Sequence, residues 1–69
     1  MNDMTLVGQT WVAFGPAGAV GSIHRVDDGF TIKLKGGEAQ GLYPSLDVAK
    51  SAMHASLGPG SERPEFREH

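Results

Sequence analysis

Residues 30–35 read FTIKLK, and the strict alternation of Phe30, Ile32 and Leu34 with Thr31, Lys33 and Lys35 leaves little choice of local structure. Successive side chains of a strand point to opposite faces, so this run has one apolar face and one face of hydroxyl and lysine, the pattern of a half-buried β-strand. Such a strand needs a cover for its apolar side. The other strongly patterned stretch, SLDVAKSAMHASLGPG over residues 45–60, supplies one. Ser45 is a good helix N-cap with Pro44 just outside it, Asp47 complements the positive end of the helix dipole, and Gly58-Pro59 is a stop, so a helix is predicted over about 46–57. At about 100° per residue, Leu46, Ala49, Met53 and Leu57 share one stripe, while Asp47, Lys50, Ser51 and His54 occupy the other side. Met53 therefore reads as core and His54 as facing water.

The remaining punctuation completes a meander. TWVAF (10–14) is β-branched and aromatic, GPAGA (15–19) has loop composition, and VGSIHRV (20–26) is a second strand. DDG (27–29) fits a three-residue loop closed by a left-handed Gly29, and GGEAQGLY (36–43) turns at Gly36-Gly37 into a short fourth strand. The predicted fold class is α+β: an antiparallel sheet of three to four strands in chain order, with one C-terminal helix packed on one face against Phe30, Ile32 and Leu34. Residues 10–57 form the single domain. Residues 1–9 are expected as a flexible segment or an extra strand. The tail GPGSERPEFREH (58–69), rich in glycine, proline and charge, is expected to be disordered or loosely docked.

A chain of 69 residues buries only about 60% of the surface that its unfolded form exposes, so its stability margin is slim. The sequence has no cysteine, which excludes disulfides and thiolate zinc sites and leaves a second chain as the available staple. The opening MNDMTLVGQTW carries acids and amides where a signal peptide has a basic end and an apolar run, and no segment reaches the roughly 20 apolar residues of a membrane span. A soluble, cytoplasmic protein with no membrane partner is expected. A formal net charge of -2 gives no global pull toward nucleic acid, although a local basic face is compatible with it.

Strand register decides which side chains work together. Pairing Val26 with Phe30 across the DDG loop sets His24 opposite Ile32 and Ser22 opposite Leu34, under the helix. The open face then carries Ile23, Arg25, Thr31 and Lys33, and pairing Phe14 with Val20 adds Trp11 and Ala13. Trp11, Ile23, Arg25, Thr31 and Lys33 are thus the candidate interface, because an aromatic and an arginine in one patch are common anchors. A slip of one residue sends Trp11 and Ile23 inward and leaves Val12 and Phe14 outside.

Catalytic and metal templates fit poorly. Ser22, His24 and Asp27 or Asp28 have triad chemistry by type, but in this register Ser22 and His24 lie beneath the helix. His24, His54 and His69 fall on a strand, a helix and the tail, too dispersed for a metal site. The glycines of GPAGAVG lead into a strand, where phosphate binding needs a helix N-terminus. The adjacent Asp27 and Asp28 are ordinary turn residues. No catalytic residue, metal or cofactor is assigned.

The order strand, strand, strand, helix, with Trp11 near the start of the first strand and a Y-x-S-x-x-x-A-K-like entry into the helix (Tyr43, Ser45, Ala49, Lys50), resembles the small bacterial βββα domains of the YegP-like kind over roughly residues 10–57. The resemblance implies a small domain that associates through its sheet, and it offers no catalytic residues to carry over. The expected function is that of a non-enzymatic interaction domain. It self-associates as a homodimer through Trp11 and Ile23 or through an unpaired edge strand, or meets another protein there. The alternative is a nucleic-acid-binding accessory protein, with Arg25, Lys33 and Lys35 on phosphates and Trp11 stacking.

Overall fold

A computed structural model describes residues 9–69, and the expectation for the N-terminal segment falls, Gln9 apart, outside the described residues. The architecture is α+β. Strands β1 (Thr10–Gly15), β2 (Gly18–Val26), β3 (Gly29–Leu34) and β4 (Gln40–Tyr43) form an antiparallel meander, helix α1 (Leu46–Ser56) packs on one face, and β5 (Glu65–Glu68) returns to pair with β1. The sheet order is β4-β3-β2-β1-β5, one strand more than the meander read from sequence.

The two main hairpins are tighter than composition suggests. Gly15 pairs with Gly18, so the first turn is Pro16-Ala17, with proline pre-set for the turn and Gly18 taking a φ of +115° just after it. In the second, Val26 pairs with Gly29, so the loop is Asp27-Asp28 and not the three residues DDG. Gly29 already belongs to β3, at a φ of +151°, and a side chain on it would run into the Tyr43 carbonyl. This corrects the register by one residue. Ile23 faces Ile32, His24 faces Thr31 and Arg25 faces Phe30. Because side chains alternate, a single step exchanges the two faces of β2 relative to β3.

The helix follows its sequence signals closely. The Ser45 hydroxyl oxygen accepts from the Val48 N–H at 3.2 Å, and Leu57 closes the C-terminal end one residue earlier than predicted. Ala49 and Met53 are fully buried against Ala13, Ile23 and Ile32, and Trp11, Val20, Phe30, Leu34, Leu46 and Phe66 pack around them. Phe30, Ile32 and Leu34 of β3 thus meet Leu46, Ala49 and Met53 as expected, while Leu57, expected in the same stripe, is the C-cap and stands outside this cluster.

The tail does not hang free. Pro64 is buried, and β5 lays Phe66 opposite Ala13 on the core side, where the Lys50 ammonium sits 5.3 Å above its ring. His54 takes part in this docking. Its Nε2 donates to the Ser61 carbonyl at 2.8 Å, so it is half-buried and tied to the return segment, not turned to water.

Candidate functional site

The corrected register separates the five residues grouped from sequence. Trp11 still pairs with Ile23, but both lie on the helix side: Ile23 is fully buried, and the Trp11 ring packs at 5.8 Å from Phe30. Arg25 shares that side at its exposed end, where its guanidinium donates to the Gln9 side-chain oxygen at 3.1 Å. Only Thr31 and Lys33 remain on the open face. The expected patch of Trp11, Ile23, Arg25, Thr31 and Lys33 therefore does not form as one surface.

A different set of side chains occupies the uncovered face. Alternation from buried Ala13, Ile23, Ile32 and core-facing Phe66 places Thr10, Val12 and Phe14 of β1, Ser22 and His24 of β2, Thr31 and Lys33 of β3, and Glu65 and Arg67 of β5 there. Pairing arranges them in cross-strand rows. Lys33, Ser22, Val12 and Arg67 are successive partners in one row, and Thr31, His24 and Thr10 form the next. Lys35, just past β3, joins Val12, Ser22 and Lys33 around a shallow depression of ≈ 400 Å³. At the β1–β5 side the Arg67 guanidinium lies 5.3 Å from the centre of the Phe14 ring. Arg67 also meets Glu65 at 3.4 Å, an exposed contact that contributes little to stability. The sequence does not place Val12, Phe14, Ser22 and His24 on this face, because a register cannot be read from strand composition and the alternation within TWVAF permits either face; Arg67 lies in the tail, which composition reads as no strand at all.

His24 lies on the open face, contrary to the expectation that the helix covers it. Its Nε2 is 2.8 Å from the Ser22 hydroxyl and its Nδ1 is 3.3 Å from the Thr10 hydroxyl. Burial in the sheet, and secondarily the charge of Lys33, lowers its pKa below the ordinary 6.5. At neutral pH the ring is therefore uncharged, with one nitrogen donating and one accepting, a pattern that two hydroxyls complement in either tautomer. Folding favours the neutral ring, so the unfolded chain binds more protons. His24 thus lets stability rise with pH through the window from its folded value up to 6.5, above which its contribution is complete. Thermal melts between about pH 5 and pH 7 should show this slope, and His24→Gln should flatten it; an unchanged slope would place the titrating group elsewhere.

The Ser22–His24 contact has the separation of a nucleophile and its base, but the surroundings do not complete a hydrolytic site. The third partner is a hydroxyl in place of a carboxylate, since Asp27 and Asp28 stand in the turn beyond. The strand β2 is hydrogen-bonded on both sides, so its backbone N–H groups are committed to the sheet and unavailable to an oxyanion. Among the described residues no three potential metal-ligating side chains gather, and no helix is long and apolar enough to cross a membrane. What the face offers is cations, hydroxyls and a ring on a hydrogen-bonded five-stranded sheet. No known protein family, curated protein or solved structure matches the chain.

Proposed function

We propose that this chain is a small non-enzymatic interaction domain that works through the uncovered face of its sheet, and that what it meets there is polyanionic. The carrying observation is an inversion of charge. The chain has a formal net charge of -2, yet among the described residues that face holds Lys33, Lys35 and Arg67 against the single carboxylate of Glu65. Cations gathered on one face of an acidic protein steer and hold an anionic partner.

The same geometry argues against the homodimer expected from sequence. Trp11 and Ile23, its intended anchors, are spent on the core. The open face has Val12 and Phe14 on β1, next to the edge strand β5, a small apolar area beside the apolar cores of stable dimers. A two-fold stack that keeps the Lys33–Ser22–Val12–Arg67 row aligned sets Lys33 of one copy against Arg67 of the other, which is repulsive. The sheet edges are also poor templates. Both β4 and β5 are four residues long, β4 is interrupted by Gly41 at a φ of +77°, and β5 carries Glu65, Arg67 and Glu68.

Binding at low salt to two labelled polyanions, an oligonucleotide and polyglutamate, tests this reading. Lys33→Glu and Arg67→Glu should each weaken binding by about tenfold or more and make the dependence on salt shallower. Lys50→Glu, on the helix side, should leave it within about twofold. A protein that binds neither polymer but sediments as a dimer whose dissociation depends on Val12 would overturn the proposal in favour of self-association.

A further inference from the structure

We infer that the polyanion is a single-stranded nucleic acid, lying across the strands with phosphates at Lys33, Lys35 and Arg67 and a base against the Phe14 ring. This rests on the open-face reading above and narrows its partner. Three features of the face separate a single strand from the other polyanions.

The first is the ring. An acidic polypeptide needs only cations, whereas Phe14 stands on the open face between Val12 and the Pro16-Ala17 turn, overlaid by the planar Arg67 guanidinium. Aromatic rings and guanidinium planes are the surfaces on which unpaired bases stack, and each stacked base contributes irrespective of its identity. The second is the Thr31–His24–Thr10 row of hydroxyls and neutral imidazole, which runs alongside the row holding Lys33, Ser22 and Arg67, with the Ser22 hydroxyl at His24. These are donors and acceptors for base edges and sugars.

The third is width. Five strands about 4.8 Å apart make a platform of about 19 Å, whereas the major groove of B-form DNA is about 12 Å wide. A two-stranded ribbon enters that groove; a five-stranded sheet is too wide to, so the Phe14 ring and the hydroxyls of its face do not reach the bases of a duplex. A strand whose bases are splayed out has no such restriction. The depression beside Ser22, Lys33 and Lys35 is the natural seat of one phosphate, and Arg67, three strand spacings or about 14 Å from Lys33, meets another further along the chain.

The experiment compares four labelled probes at one low salt concentration: a short mixed-sequence deoxyribo-oligomer, the ribo-oligomer of the same sequence, the corresponding DNA duplex, and polyglutamate. Both single strands should bind at least about tenfold more tightly than duplex or polyglutamate, and the ratio between them shows whether the 2′-hydroxyl is read. Phe14→Leu keeps apolar volume while removing the ring. It should weaken single-strand binding by about tenfold and leave polyglutamate binding within about twofold, while Lys33→Glu weakens both. Equal affinity for all four probes, or a Phe14→Leu variant indistinguishable from the parent on single strands, overturns the inference and leaves the polyanion-binding face standing. Failure to bind any of the four at low salt overturns both.

Discussion

Ile23→Ala should remove about 3–4 kcal/mol of folding stability, read as a shift in the denaturation midpoint at unchanged slope. Ile23 is fully buried between Trp11 and Ile32 on its neighbouring strands, under Ala49 and Met53 of the helix. Truncating it loses both transfer energy and packing, because the sheet backbone beneath and the helix above cannot close the gap. A domain of this size has a total stability of about 3–10 kcal/mol, so the variant should be largely unfolded at physiological temperature or close to it. Val12→Ala, one residue further along the neighbouring strand on the open face, should cost about 1 kcal/mol or less. The contrast between the two separates this register from the one in which Ile23 faces solvent, where the order of the two effects reverses.

Gly21→Ala should be nearly as damaging, about 3 kcal/mol, although it adds a single methyl group. A Cβ at position 21 would lie 2.5 Å from the Lys33 carbonyl oxygen, 3.1 Å from the Met53 Cε and 3.2 Å from the Leu34 Cα. The methionine end can swing aside, but the other two contacts are with the backbone of the paired strand, which the ladder holds in place. Shortening Met53 in the same protein should therefore fail to rescue Gly21→Ala. A rescue would locate the conflict at the helix and not in the sheet.

These two residues also show where the sequence was legible and where it was not. The helix was readable because its signals are local: Ser45 at the start, Gly58-Pro59 beyond the end, and a stripe of Leu46, Ala49 and Met53 at helical spacing. The strand 29–34 was readable because Phe30, Ile32 and Leu34 alternate without exception. The register across Asp27-Asp28-Gly29 was not. A glycine there serves equally as the last residue of a loop or the first of a strand, and the close approach of the Tyr43 carbonyl, which calls for glycine at this position, comes from a segment distant in sequence. That one residue carried Trp11 and Ile23 to the core and brought Ser22 and His24 into the open, so the candidate site was lost with the register while the fold class survived.

The last strand is a similar case. EFRE is too short and too charged to suggest a strand by composition, and it is held by its neighbours: β1 supplies the ladder, Phe66 reaches the core side, and the His54–Ser61 hydrogen bond anchors the return. Its single apolar residue between Glu65 and Arg67 was the available signal. With β5 in place Arg67 joins Lys33 on one surface, and the charge inversion becomes visible.

Backbone and side-chain chemical shifts followed by nuclear magnetic resonance during titration with a short single-stranded oligonucleotide test the working face most directly. The account predicts shifts concentrated at Val12, Phe14, Ser22, His24, Thr31, Lys33 and Arg67, with Trp11, Ile23 and the helix residues Ala49 and Met53 nearly still. Shifts centred on Trp11, Arg25 and the helix, with the open face unmoved, would contradict it.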